Sequence, residues 1–179
     1  MVGYLPNILT LTRILLLPFF ATTLIYGDYQ YALILFLAAS ATDVFDGLIA
    51  RIKKQTTYFG SILDPVADKF LLTTSFIIMS VYGWIPKWLT ITVISRDLIV
   101  ITGWLILYFV THNTKVEPSI LGKTANALQF LLIGLVLLSI NIKGFFVPTA
   151  YLIIVAVFTA TSGIFYIFKG LKIANTENA

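Results

Sequence analysis

Cysteine is absent from the 179 residues. There is therefore no disulfide framework, no thiolate nucleophile and no zinc–thiolate centre to consider. Histidine occurs once, at His112, which excludes a multi-histidine metal site within this chain, so any metal has to be held by oxygen. Charge is scarce too. Only 11% of residues are Asp, Glu, Lys or Arg, against about 25% in soluble domains. With 59% hydrophobic residues and a mean hydropathy of +0.95, the composition excludes an ordinary water-soluble globule and points to a polytopic membrane protein. No basic helix or aromatic platform offers itself to nucleic acid. The start of the chain has neither a lysine-rich segment nor a small-residue cleavage pattern, so it is not read as a cleaved signal.

What the sequence does have is long apolar runs. Six spans of roughly 20 residues fit, giving an all-α fold with six transmembrane helices in one membrane-embedded catalytic domain over residues 1–179. The spans are expected at about Leu5–Tyr26, Tyr29 to Arg51–Lys54, Thr57–Tyr82, Lys87–Thr111, Ser119–Ile140 and Val147–Phe168. A short interfacial segment, residues 1–7, would precede them, and a polar, frayed tail, about 170–179, would follow. Gly27-Asp28 and Gly83-Trp84-Ile85-Pro86 read as turns. With both termini inside, the inner loops and tail carry Arg51, Lys53, Lys54, Lys115, Lys123, Lys169 and Lys172, and the outer loops only Lys87 and Lys143. That bias predicts an N-in, C-in protein of the cell membrane.

Acidic residues number only eight, yet Asp43, Asp46, Asp64 and Asp68 fall within 26 positions. Carboxylates beside lipid-soluble segments are costly and mark function. Asp43 and Asp46 are three apart on the second helix, and Asp64 and Asp68 four apart on the third, so each pair shares a helix face. The short connection between these helices makes them antiparallel neighbours, and all four carboxylates can converge near the inner surface. They would repel one another unless a cation held them, which favours Mg²⁺, Mn²⁺ or Ca²⁺. Gly47, Ala50 and Gly60, each four residues from an aspartate, clear space for a ligand. Arg51 adds a planar donor fork suited to phosphate oxygens. Together these suit phosphoryl transfer with two divalent ions clamping a diphosphate. A lone aspartate near a helix end is more often a cap. A carboxylate-based cation transporter would explain the aspartates but not Arg51 or the glycine spacing.

The run from Asp43 to Asp68 resembles the signature of the CDP-alcohol phosphatidyltransferase family: D-x-x-D-G-x-x-A-R, eight residues, G-x-x-x-D-x-x-x-D. All its fixed positions are present. Pro6-Asn7-Ile8-Leu9-Thr10-Leu11-Thr12-Arg13 is similar to the family's N-terminal segment, and Asp64-Pro65-Val66-Ala67-Asp68-Lys69 and Ser95-Arg96-Asp97 resemble its phosphatidylglycerophosphate synthase and cardiolipin synthase branches. The resemblance implies six transmembrane helices, a homodimer, a cytoplasmic active site and two Mg²⁺ or Mn²⁺ ions. Asp43, Asp46 and Asp64 would hold one ion, and Asp43, Asp64 and Asp68 the other. Asp68 would be the base that deprotonates the acceptor hydroxyl for attack on CDP-diacylglycerol, expelling CMP. Asn7, Thr10, Gly47, Ala50, Arg51, Thr57 and Gly60 would surround the CDP moiety.

The acceptor is less constrained. A phosphorylated acceptor needs cations at membrane depth, and Arg13, Arg96 and Lys123 are the candidates; Arg96 can instead pair with Asp97, and Arg13 can snorkel. Phosphatidylglycerophosphate synthases usually carry G-K-x-K-T-x-x-Q at the start of the fifth span. Here that stretch is Gly122-Lys123-Thr124-Ala125-Asn126-Ala127-Leu128-Gln129, with Ala125 in place of the second lysine. Glycerol 3-phosphate is the expected acceptor. Phosphatidylglycerol, the acceptor of the cardiolipin synthase branch, is the alternative, since Pro118 and Lys123 also fit that branch.

Overall fold

Among its described residues, the computed structural model has six helices in chain order: α1 (Leu5–Tyr26), α2 (Tyr29–Lys53), α3 (Tyr58–Val81), α4 (Lys87–Thr111), α5 (Ile120–Asn141) and α6 (Thr149–Glu177). The structure describes the backbone of residues 5–53, 58–111 and 119–177, and the side chains of residues 12, 14–41, 69–103, 105–106 and 119–171. Among the described residues there is no strand, as the apolar periodicity leads one to expect. The helix bounds follow the sequence reading closely except at the end, where α6 continues to Glu177 instead of stopping near Phe168. Leu171, Ile173 and Ala174 continue the apolar, helix-favouring pattern there and no proline interrupts it.

Gly27 shows why α1 ends where it does. It adopts φ +85°, a left-handed conformation that glycine reaches without the Cβ penalty. The Asp28 N–H then donates back to the Thr23 carbonyl at 2.9 Å, and the Asp28 carbonyl accepts the Ala32 N–H at 3.0 Å as α2 begins. This closes one helix and opens the next within two residues. Gly83, at φ +78°, follows α3. Beyond it the Pro86 carbonyl accepts the Leu89 N–H at 3.0 Å to start α4.

The chain divides into two compact units. One comprises residues 1–82 and 133–146, the other residues 83–132 and 147–179; α5 thus contributes its C-terminal part to the first and its N-terminal part to the second. In the first unit α1 packs against both α2 and α3. Its core holds Phe20, Leu24, Phe36, Leu72, Phe76, Met79 and Leu137, with the Phe20 and Phe36 rings 6.2 Å apart. Two bonds fasten one end of it: Tyr82 Oη donates to the Ile25 carbonyl at 3.2 Å, and Asn141 Nδ2 donates to the Tyr29 carbonyl at 3.0 Å.

In the second unit α4 packs on α6. Its interior is partly polar: Thr90, Arg96, Asp97, Gln129, Thr159 and Ser162 are buried there beside Leu89, Val93, Ala125 and Val155. The outside is apolar, with Ile91, Leu98 and Ile101 on α4 and Ile153, Val157 and Ile164 on α6 exposed. Polar groups inside and large aliphatic groups outside suit a lipid environment, since soluble monomers rarely expose such faces. Among the described residues two helices are long and apolar enough to cross a membrane, over Ile120–Asn141 and Thr149–Leu171.

Candidate active site

The aspartates lie on the helices expected for them. Asp43 and Asp46 are in α2, Asp64 and Asp68 in α3. Helix rise sets their depth. Asp43 comes 14 residues after Tyr29 and Asp68 13 residues before Val81, about 20 Å along each axis at about 1.5 Å per residue. Asp46 and Asp64 are each 17 residues from those same ends, about 26 Å. Since α2 and α3 both pack on α1 and run in opposite directions from a common end, the four residues occupy two matching tiers, one residue of each tier on each helix. Asn7, Thr10 and Arg13 fall at the corresponding level of α1, and Gly47, Ala50, Arg51 and Gly60 further towards the same end. The backbone register therefore brings this group to one end of one unit. The side chains of Asn7, Thr10, Arg13, Asp43, Asp46, Gly47, Ala50, Arg51, Gly60, Asp64 and Asp68, and all of Thr57, lie outside the described residues. Among the described residues no three His, Cys, Asp or Glu side chains gather as a metal site would require.

Arg96 is fully described, and it sits at the centre of a buried polar cluster in the second unit. The residue is 4% exposed. Nη1 donates to Asp97 Oδ1 at 2.8 Å and to Asn126 Oδ1 at 3.2 Å. Nε and Nη2 both donate to Ser162 Oγ, at 3.3 and 3.0 Å. The guanidinium carbon lies 5.7 Å from the centre of the Tyr166 ring, within cation–π range. Of its five N–H groups, these bonds leave one on Nη2 without a partner among the described residues. That nitrogen lies against Gly122, where a Cβ would come within 3.0 Å of it and 2.9 Å of Tyr166 Oη. Gly163 provides the second gap, since a Cβ there would be 3.3 Å from Arg96 Cγ.

The start of α5 is tied into the same cluster. Ser119 caps the helix, its Oγ accepting the Gly122 N–H at 3.0 Å. The Ser119 N–H in turn donates to Tyr166 Oη at 3.0 Å. Lys123 follows Gly122 directly and is exposed, while Ala125 is completely buried. Of the three cations considered for the acceptor, Arg96 packs against Gly122 and Lys123 is the next residue along α5.

Sequence reasoning paired Arg96 with Asp97 but missed Ser162, Tyr166 and Ser119. A signal for two of them exists. Thr159, Ser162, Gly163 and Tyr166 recur at helical spacing along an otherwise apolar span, a polar and small-residue stripe that marks an inward face. A further pair on this face, Gln129 Nε2 donating to Thr159 Oγ1 at 3.0 Å, links α5 to α6 below the arginine.

Comparison with known proteins agrees with the aspartate pattern. A family model described as CDP-alcohol phosphatidyltransferase matches residues 3–162. The chain is similar to the probable phosphatidylglycerophosphate synthase of Mycobacterium tuberculosis (strain H37Rv), 31% identical over 178 residues covering 96% of this chain and 83% of that protein. It is similar to the CDP-diacylglycerol–glycerol-3-phosphate 3-phosphatidyltransferase of Bacillus subtilis, 33% identical over 192 aligned residues covering 97% and 98%. The cardiolipin synthase (CMP-forming) of Homo sapiens is 37% identical over 123 residues, covering 68% of this chain and 40% of that protein. The chain belongs to the CDP-alcohol phosphatidyltransferase family.

Proposed function

We propose that this enzyme transfers the phosphatidyl group of CDP-diacylglycerol to glycerol 3-phosphate and releases CMP. Relatives whose names state this acceptor align over nearly the whole chain. The observation that carries the acceptor reading is the buried Arg96 guanidinium, with one N–H unpartnered among the described residues, packed against Gly122, the residue before the exposed Lys123. A buried guanidinium donor and a neighbouring ammonium group are suited to a phosphate monoester. A two-point grip by Arg96 would require Asn126 or Asp97 to give up its share of Nη1.

The donor half rests on the aspartates. Four aspartates, two on α2 and two on α3, offer an oxygen-only ligand set of the kind that hard divalent cations take. Asp43, Asp46 and Asp64 would hold one Mg²⁺ or Mn²⁺ and Asp43, Asp64 and Asp68 the other. When bound, the ions supply charge neutralisation to the diphosphate and the departing CMP. Asp68 takes the proton from the acceptor hydroxyl, because an alcohol is a poor nucleophile until a base removes it. The freed oxygen forms a bond to the lipid-bearing β-phosphorus as the bond from that phosphorus to the oxygen of CMP breaks. Arg13 adds positive charge at the same level. Asn7, Thr10, Gly47, Ala50, Arg51, Thr57 and Gly60 line the CDP moiety.

All six helices, 22 to 29 residues each, are long enough for a hydrocarbon layer of about 30 Å. We read them as six transmembrane spans of the cell membrane, with both termini and the aspartates at the cytoplasmic face, in accord with the loop lysines. The family resemblance alone supports a homodimer.

A second reading takes phosphatidylglycerol as acceptor. It is favoured by Ala125, which replaces a lysine with a small buried group, and by the similarity to the human cardiolipin synthase. The enzyme reading is tested by CMP release from CDP-diacylglycerol with Mg²⁺ and glycerol 3-phosphate. Release that stops on chelation with EDTA and returns with Mg²⁺ is expected. No release with any alcohol acceptor would overturn the reading.

A further inference from the structure

We propose that Tyr166 is a positioning residue for the acceptor phosphate, holding both cations of that subsite through one side chain; this rests on the acceptor reading given above. Tyr166 lies beyond the residues matched by the family model, which end at 162. Its ring carries the Arg96 guanidinium at 5.7 Å. Its hydroxyl oxygen accepts the Ser119 N–H at 3.0 Å, and Ser119 is the cap from which the first turn of α5 is built. That turn carries Gly122, against which Arg96 Nη2 lies, and then Lys123.

The consequences follow from the geometry. Arg96 is long and could adopt many rotamers; the ring face, Ser162 and the gaps at Gly122 and Gly163 leave it one. Lys123 is exposed and has no comparable restraint of its own. Its backbone is tied to the helix start, the Lys123 N–H donating to the Ser119 carbonyl at 3.1 Å. Tyr166 thus sets the spacing between a buried and an exposed cation without being placed to react itself.

The test compares Tyr166→Phe, Tyr166→Leu and Arg96→Ala in the full-length protein, measuring kcat and KM for each substrate separately. Tyr166→Phe keeps the ring and loses the Ser119 bond. It is expected to raise KM for glycerol 3-phosphate roughly three- to tenfold, the effect of one lost hydrogen bond, with kcat and the KM for CDP-diacylglycerol within about twofold. Tyr166→Leu loses the ring as well and should raise the same KM further. If Arg96→Ala raises the acceptor KM while Tyr166→Phe leaves it unchanged, or raises both KM values in proportion, the positioning role is wrong and the acceptor reading stands. If Arg96→Ala leaves the acceptor KM unchanged, the acceptor reading of Arg96 fails and this inference fails with it.

Discussion

Asp97 and Arg96 are neighbours in sequence and point about 100° apart around α4, yet the guanidinium curls back to 2.8 Å from the carboxylate. Both are buried, so the pair is expensive to desolvate and strongly destabilising to break. Gly122 and Gly163 leave room for the guanidinium itself, so a side chain at either position would displace Arg96. The adjacency of Arg96 and Asp97 was legible in the sequence. Ser162, 66 residues away, was not, because that contact exists only once α4 and α6 pack together. The aspartates present the reverse case. Their spacing points to the chemistry directly, and the proposed mechanism assigns the proton transfer to Asp68. Asp68→Asn keeps the size of the side chain and removes its ability to take a proton. It is expected to lower kcat by roughly 10²–10⁴-fold while leaving the melting temperature in detergent close to that of the unchanged protein. Full activity in that variant would refute the base assignment.

Helix bounds were readable because each end has a local cause, such as the left-handed Gly27 after α1 or Pro86 before α4. The end of α6 was misjudged for an equally local reason. Polar and charged residues follow Phe168, but Leu171, Ile173 and Ala174 are interleaved with them and no proline intervenes. The last turns of α6 extend to Glu177 on helix propensity. Between α5 and α6 the Gln129–Thr159 bond is fully buried, but Gln129 Oε1 has no hydrogen-bond partner among the described residues. One satisfied and one unsatisfied polar atom nearly offset each other. Gln129→Leu is therefore expected to change stability by no more than about 1 kcal/mol, in line with hydrogen bonds between membrane helices. A loss several times larger in thermal unfolding would show that Gln129 Oε1 has a partner, such as a buried water.

The tier arrangement of the aspartates and the loop lysines make a prediction about the whole molecule. Because the natural chain has no cysteine, a single introduced cysteine labels one place only. Lys143→Cys is expected to react with a membrane-impermeant maleimide added outside intact cells, and Lys172→Cys only after the membrane is opened. The opposite pattern would invert the topology and put the aspartates on the outer face. Reaction type was legible because eight fixed residues lie on two adjacent helices. The acceptor was not, because its candidates Arg13, Arg96 and Lys123 are spread over α1, α4 and α5, and the partners of Arg96 on α5 and α6 appear only on packing. The most direct test of the central claim is to supply purified protein with CDP-diacylglycerol, Mg²⁺ and equal amounts of glycerol 3-phosphate and phosphatidylglycerol, and to identify the lipid formed. Phosphatidylglycerophosphate, appearing in step with CMP, is the predicted product. Cardiolipin as the main product, with no phosphatidylglycerophosphate, would contradict the account.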